Sequence, residues 1–455
     1  MVGGGIAGLT AAHVLADRGN VEVTLCEADA RLGGKVRSEA FAGVNLDLGP
    51  DAFLARRPEA LDLCRELGLA DELVAPVTTA AFLWSRGRLR RLPAGLALGV
   101  PTRVGPLVRS RVLSPLGVAR AMFEPLLPGR TLGDDDALGA LVRRRLGGEA
   151  HRRLVDPLVG GINAGDTDHL SIDLAAPSLA AAARSHRSLV VGARRQAAVG
   201  PVAGGPVFLT LPGGLTRLVE ALAARLTAIG ADVRTGEAVT AVAPTAGGGY
   251  LLDARSGPLD ADAVVLGTPA FASATLVAPH APRAAAILAA IEYASVALVA
   301  LAYPRGAITR RLDGSGFLVA RGEGRLMTAC SWASSKWAHH DTGDDLVLRV
   351  SAGRAGDERA DSLDDDALVA RLRLELAEAL GISALPSEVR VTRWRRAFPQ
   401  YAPAHARRIA AAEAELAARL PGVVLAGAAL SGVGLPACIA SGRRAAEAVL
   451  DQIRL

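Results

Sequence analysis

The chain has 455 residues, half of them apolar, enough for a large core divided among roughly two or three domains of about 150 residues each. Its formal net charge is +5, and of 51 basic side chains only Lys35 and Lys336 are lysines. Aromatics make up 4% and no recognisable nucleic-acid module is present, so the positive balance argues against nucleic acid and suits an anionic small molecule, an anionic membrane face or a solvated basic surface.

The first element is announced by Gly3-Gly4-Gly5-Ile6-Ala7-Gly8, ahead of a helix expected over residues 7–18 and stopped at Gly19. In such a fingerprint Gly3 allows a tight turn, Gly5 lets the backbone approach a pyrophosphate, and Gly8 lets the helix pack on the sheet. The helix N-terminus offers free N–H groups and a positive dipole end to phosphates. A strand over residues 21–26 then ends on Glu27, placed to accept hydrogen bonds from an adenosine ribose. Only Met1 and Val2 precede Gly3, whereas a strand usually has about five or six residues. Loss of that central strand would leave neighbouring backbone groups unpaired, so the expectation is that the start lies downstream of the true one.

A glycine turn, Arg31-Leu32-Gly33-Gly34-Lys35, and the tight segment Leu46–Pro50 follow, then a helix from Pro58 to Leu67 closed by Gly68. From about residue 86 to 205 prolines and arginines become frequent and the pattern turns helical, which reads as a separate module. There Asp134, Asp135 and Asp136 precede a helical pattern over 137–146 that ends on Arg143, Arg144 and Arg145. Acids at the start and bases at the end complement a helix dipole, so these aspartates read as capping groups and not metal ligands.

The α/β pattern returns at Leu211–Leu215, with a helix to Ile229, a strand at 232–234, a hairpin from 239–242 and 250–254, and a buried strand run at 261–267. Strands at 296–303 and 346–350 and a helix over 364–380 come next, and a strand at 423–427 and a helix over 437–453 close the chain. The expected fold class is α/β: a Rossmann-type FAD-binding domain assembled from discontinuous segments, with a mixed α+β substrate domain and a helical insertion module. The segments are 1–85, 206–270 and 391–455 for FAD, 86–205 for the helical, substrate-entry module, and 271–390 for the substrate domain.

Cys26, Cys64, Cys330 and Cys438 are dispersed without CxxC spacing, which argues against a metal site or disulfide framework and suits a reducing compartment. The pair His339-His340 lacks neighbouring ligands and reads as surface. No run of about 18 uncharged apolar residues appears. With the fingerprint at the very beginning no leader is expected, and the protein is expected to be cytoplasmic, with peripheral membrane contact.

Beyond the fingerprint, Glu27-Ala28-x-x-Arg31-x-Gly33-Gly34-Lys35 resembles the extended FAD signature of amine oxidase-like flavoproteins. Within that superfamily several stretches resemble the porphyrinogen oxidases of haem biosynthesis: Leu48-Gly49-Pro50-Asp51-x-Phe53, Gly160-Gly161-Ile162-x-Ala164-Gly165-Asp166 with Leu170-Ser171, Pro177-Ser178-Leu179, Ser185-His186-Arg187-Ser188, Phe398-Pro399-Gln400-Tyr401 and Gly432-Val433-Gly434-Leu435-Pro436-x-Cys438-Ile439. They run from end to end of the chain.

The resemblance implies a non-covalent FAD. Gly3, Gly4, Gly5, Ile6, Ala7, Gly8 and Glu27 would hold its ADP half, and Arg31, Gly33, Gly34 and Lys35 the diphosphate and ribityl path. Gly49, Pro50 and Asp51 would lie against the isoalloxazine, Val239 would meet adenine through its backbone, and Trp394 would stand near the flavin. Gly427, Val433, Gly434 and Leu435 would bring the last helix N-terminus to the pyrimidine ring, where its dipole favours negative charge. Arg88 and Arg90 would grip propionates, and Ile291, Leu318 and Trp337 would sandwich the macrocycle. The implied reaction is oxygen-dependent, six-electron oxidation of a porphyrinogen, with coproporphyrinogen III preferred over protoporphyrinogen IX. No dedicated base is expected, since pyrrole protons leave by tautomerisation; His405 and Asp51 are the residues weighed for that role. The implied partners are the porphyrinogen, dioxygen and transient contacts with other haem-pathway enzymes. Amine oxidation is the nearer rival. It is disfavoured because the tail from Val423 has no aromatic residue, with Val433 where a cage tyrosine would stand, and because residues 391–410 lack a cysteine for a flavin thioether. Carotenoid desaturation and a non-catalytic flavin-binding or membrane-associated scaffold are the remaining alternatives.

Overall fold

The computed structural model describes residues 1–18, 20–128, 132–133, 136–199 and 205–453. Gly19, Asp134 and Asp135 lie outside the described residues, so the expected helix stop and two of the three capping aspartates are not described.

Five short parallel segments run side by side: Asp232–Thr235, Thr24–Glu27, the N-terminal residues, Val264–Leu266 and Val423–Leu425. Val2 bridges Cys26 on one side and Leu266 on the other. Val2 N–H donates to Val265 O (2.9 Å), Gly267 N–H to Val2 O (2.8 Å), Gly3 N–H to Cys26 O (2.8 Å) and Cys26 N–H to Met1 O (2.9 Å). Three residues thus satisfy the backbone groups that a missing central strand would leave unpaired.

The helix Ile6–Ala16 lies against this sheet, flanked by Thr216–Ala228 and the closing helix Leu435–Ile453. All but one of its residues are buried, which its run of alanine and leucine permits. Its core partners include Leu218, Leu222, Ile439 and Val449, so segments hundreds of residues apart build one apolar interior. The expected hairpin is present as Val239–Pro244 and Tyr250–Ala254, with a third antiparallel strand, Gly257–Ala261, beside it.

A seven-stranded sheet forms the second body, in the order Glu388–Pro399, Tyr293–Pro304, Asp345–Ala352, Met327–Trp332, Gly316–Val319, Phe82–Ser85, Arg88–Arg91. The helix Asp365–Leu380 covers one face through Leu368, Leu372, Leu376 and Leu380. The expected division at 85/86 falls inside the turn of a hairpin, and the one at 390/391 inside an edge strand. Arginine and proline enrichment at 86 marks a change of surface, whereas backbone pairing decides which sheet a segment joins.

The region after residue 100 is helical, as expected, and builds a core of its own around Leu107, Leu141, Leu154 and Leu179. Its middle is a ten-residue π-helix, His151–Gly160, with Pro157 inside it. Arg145 does not serve as an exposed helix-end base. It is buried and paired with fully buried Glu124, through Nε at 2.6 Å. Glu124 also accepts from Ser188 Oγ (2.5 Å) and Leu189 N–H (2.8 Å), so it ties the Ser185–Ser188 motif to the start of the helix Leu189–Val199. Breaking such a buried pair costs about 3–5 kcal/mol.

Candidate active site

At the fingerprint, Gly3 has φ of 101°, and a Cβ on Gly8 would stand 2.0 Å from Gly3 O. Only glycine fits at either place. Nothing lies within 4 Å of where a Cβ on Gly5 would be. The helix beginning at Ile6 has no side-chain cap and no acid in its first turn. Its orphan N–H groups and positive dipole end therefore face open space, a cradle suited to a diphosphate. Glu27 accepts from Gly4 N–H (2.6 Å) through Oε2 and from Asp29 N–H (2.8 Å) through Oε1. Each oxygen keeps a further lone pair. Gly236 and Glu237 hydrogen-bond the backbone at Asp29 and Glu27, which brings the strand beginning at Val239 to the end of the Glu27 strand.

The Arg31–Lys35 turn lies on the fingerprint: Gly33 N–H donates to Gly4 O (2.8 Å), and Gly33 and Gly34 have φ of 98° and 56°. The Arg31 guanidinium is committed to this turn, donating to Gly34 O (2.5 Å) and Leu32 O (3.1 Å). Lys35 makes no ion pair among the described residues. Its side chain is open to solvent, and desolvation by the surrounding protein lowers its pKa.

Gly49 presses on this lysine: a Cβ there would stand 2.0 Å from Lys35 O. Trp394 Nε1 donates to Leu48 O (2.6 Å), and Arg349 Nη2 to Gly49 O (2.7 Å). Asp51 Oδ2 receives Lys336 Nζ (2.7 Å), Arg349 Nη1 (3.0 Å) and Trp337 Nε1 (3.4 Å). Burial pushes the Asp51 pKa up, but Lys336 and Arg349 outweigh it and hold the carboxyl well below the usual carboxylate range. That basicity is too low for a proton acceptor at neutral pH. His405 is buried, and its Nε2 donates to Ala429 O (2.8 Å), so it positions the short helix Ala428–Ser431.

The C-terminal segment reaches the same place. Gly427 has φ of 120° with open space at its Cβ position, and its N–H donates to Ser441 Oγ (3.0 Å). Val433 and Gly434 lead into the closing helix at Leu435, where Cys438 N–H donates to Gly434 O (3.0 Å). The two ends of the chain meet in the closing helix, where a Cβ on Gly442 would stand 2.2 Å from Ala7 O.

The substrate residues divide. Leu83 is the register partner of both Leu318 and Arg90, so these three share one face of the sheet, and Arg88, two residues along, projects to the same side. That face meets the helical module, and Leu318 Cδ2 stands 3.7 Å from the Cβ position of Gly161, just past the π-helix. Ile291 and Trp337 do not join them. Ile291 is 8% exposed inside the core that also holds Val2 and Leu266, and Trp337 is 1% exposed with its indole N–H aimed at Asp51. Ile291 is covered by that apolar core, and Trp337 is enclosed with Lys336, His339 and Asp51 against it, so neither presents a face to a macrocycle.

His340 is a correction as well: it is buried, not on the surface, and its Nε2 donates to Asn45 O (3.1 Å). The residues missed were Lys336 and Arg349, and Arg321, whose Nη2 donates to Gly165 O (2.9 Å) and whose Nη1 lies 3.4 Å from Asp166. For Lys336 a signal existed, since it is one of two lysines in the chain.

The family described as flavin containing amine oxidoreductase matches residues 6–450. The chain is 35% identical to a coproporphyrinogen III oxidase of Bacillus subtilis, over 100% of this chain and 98% of that protein. It is 38% identical to a coproporphyrinogen III oxidase of Mycobacterium bovis, over 100% and 97%. A solved structure from Exiguobacterium, provisionally named protoporphyrinogen oxidase, superposes with a TM-score of 0.88 at 31% identity, over 100% and 98%. The chain belongs to the flavin containing amine oxidoreductase family. It is an oxidoreductase, its fold is that of the amine oxidase-like flavoproteins, and its cofactor is FAD. The open cradle before Ile6, the uncapped helix and the unpaired Lys35 fit that cofactor's diphosphate.

Proposed function

We propose that the chain oxidises coproporphyrinogen III to coproporphyrin III in haem biosynthesis. Six electrons and six hydrogens leave the substrate, and three molecules of dioxygen become three of hydrogen peroxide. The observation that carries this reading is end-to-end similarity to coproporphyrinogen III oxidases. Bound FAD supplies the redox chemistry, taking two electrons at a time and passing them to dioxygen.

The residues named for the site divide the work. Gly3 to Gly8 and Glu27 hold the ADP half, and Lys35 counters the diphosphate charge. Gly49, Pro50, Trp394, Gly427, Val433, Gly434 and Leu435 would hold the flavin ring. Arg90 and Arg88 pair with propionates; Leu318 and the Gly160–Gly161 segment form an apolar wall. Alignment against the ring and exclusion of water are the chain's contribution, with no dedicated base. Transient contact with other haem-pathway enzymes belongs to the same reading.

Protoporphyrinogen IX is the second reading, favoured by the name of the Exiguobacterium structure. Aerobic turnover of both porphyrinogens side by side, followed by porphyrin fluorescence, decides between them. Faster coproporphyrin formation supports the first reading, and faster protoporphyrin formation the second. Absence of both overturns each.

Peripheral membrane contact by a cytoplasmic protein is supported by Val104, Val108, Leu116, Phe123 and Leu126, which stand exposed beside Arg103, Arg109 and Arg111. No helix among the described residues is long and apolar enough to cross a membrane. Salt-sensitive sedimentation with anionic vesicles is expected; absence of binding at low salt would contradict it.

A further inference from the structure

We propose that Lys336 tunes the flavin, adding a second positive charge beneath Gly49–Asp51 that favours the reduced ring. The inference rests on the reading that Gly49 and Pro50 face the isoalloxazine.

Asp51 is already satisfied by Arg349, whose two terminal nitrogens reach Asp51 Oδ2 (3.0 Å) and Gly49 O (2.7 Å). Trp337 Nε1 supplies a neutral donor to the same oxygen. Lys336 adds its ammonium to that oxygen at 2.7 Å, and also stands 4.9 Å from the centre of the Trp337 ring. Two cations therefore share one carboxylate. Arg349 is 6% and Lys336 16% exposed at the side chain. A partly buried charge beyond what pairing needs is costly in desolvation, so it is useful where a complementary negative charge develops.

The other titratable groups around the cluster do not replace it. His340 stays neutral near pH 7, because burial and then His339 hold it down to about 4. Asp47 is turned to Ser38 Oγ (2.6 Å) and Leu215 N–H (2.9 Å). Composition points the same way. Of 51 basic residues only two are lysine: the backbone of Lys35 packs against Gly49, and the ammonium of Lys336 meets Asp51. Two-electron reduction with uptake of one proton leaves a flavin ring with one more negative charge, and a nearby cation stabilises that state.

The test is the flavin midpoint potential of the holoprotein, read by dye equilibration at pH 7.5, with FAD content measured by acid release. At a fixed poise Lys336→Met is expected to lower the ratio of reduced to oxidised flavin about tenfold. Asp51→Asn, which removes the negative charge and keeps both cations, is expected to raise it, and Lys336→Arg to hold it near the parent value. Should Lys336→Met lose its flavin, Lys336→Gln, which keeps a donor to Asp51, reads the same shift. The inference is overturned if the Lys336 and Asp51 variants shift the ratio in the same direction, or leave it unchanged with FAD fully bound. No porphyrinogen enters this measurement, so failure of turnover in the parent protein defeats the functional reading and not this one.

Discussion

Glu124 and Asp51 are both acids enclosed by cations, and they are built for different ends. Glu124 is fully buried, meets one guanidinium and uses its remaining capacity on Ser188 and the start of a helix. Charge and hydrogen bonds balance there, and the pair staples the helical module. Asp51 meets two cations on a single oxygen, two residues from Gly49, which packs on the Lys35 backbone. Its cluster is left with positive charge to spare where the cofactor is read to lie. A closed, neutral pair reports on stability, and an unbalanced pair at an opening reports on chemistry.

The largest expected effect falls on the closed pair. Glu124→Gln should cost about 3–5 kcal/mol in urea unfolding, by leaving Arg145 buried and unpaired, while the folded fraction keeps its FAD. Unchanged stability would erase the distinction drawn between the two acids.

His340 and Asp47, on either side of the Asp51 cluster, give opposite pH signatures. Burial holds His340 at about 4, against an unfolded 6.5. The unfolded chain takes up the proton first, so stability is lost as pH falls from 6.5 to 4, by about 3 kcal/mol in all. Asp47 is pushed up by burial from 3.8 to about 6, so its contribution is present below 3.8 and lost as pH rises to 6. Urea midpoints across pH 4–8 should show His340→Gln recovering stability at the acid end. Asp47→Asn should recover it at the neutral end.

Next comes the fingerprint. Gly8→Ala would drive a methyl into Gly3 O, and overpacking of about 1–3 kcal/mol corresponds to about 5- to 150-fold weaker FAD binding. Titration of the apoprotein with FAD measures it. Smallest is the substrate face: Arg90→Met should raise KM for coproporphyrinogen III about tenfold with little change in kcat, the mark of lost ground-state binding. A fall in kcat alone would place Arg90 elsewhere.

The backbone geometry of the fingerprint and the glycine turn was legible because its signals are local. Gly3, Gly8, Gly33 and Gly34 each mark a backbone conformation or a close approach that the structure contains. The hairpin at Val239 and the closing helix were readable from period and glycine position. What was not readable depended on distant pairing. Arg90 and Leu318 are linked through Leu83, across strands more than 200 residues apart in the chain. The hairpin 82–91 joins a sheet whose other members begin at Tyr293, so a boundary drawn from arginine and proline content misplaced it. Trp337 resembled a macrocycle contact, yet it is buried with its indole N–H turned to Asp51, which lies far away in sequence. The π-helix left only Pro157 as a trace, and a proline more often stops a helix than marks a wider one.

The most direct measurement of the functional account is the stoichiometry of aerobic turnover. With limiting coproporphyrinogen III, the yellow holoprotein should consume three dioxygen molecules and release three of hydrogen peroxide for each coproporphyrin III formed, faster than spontaneous oxidation. A rate no faster than the spontaneous one, with FAD fully bound, would contradict it.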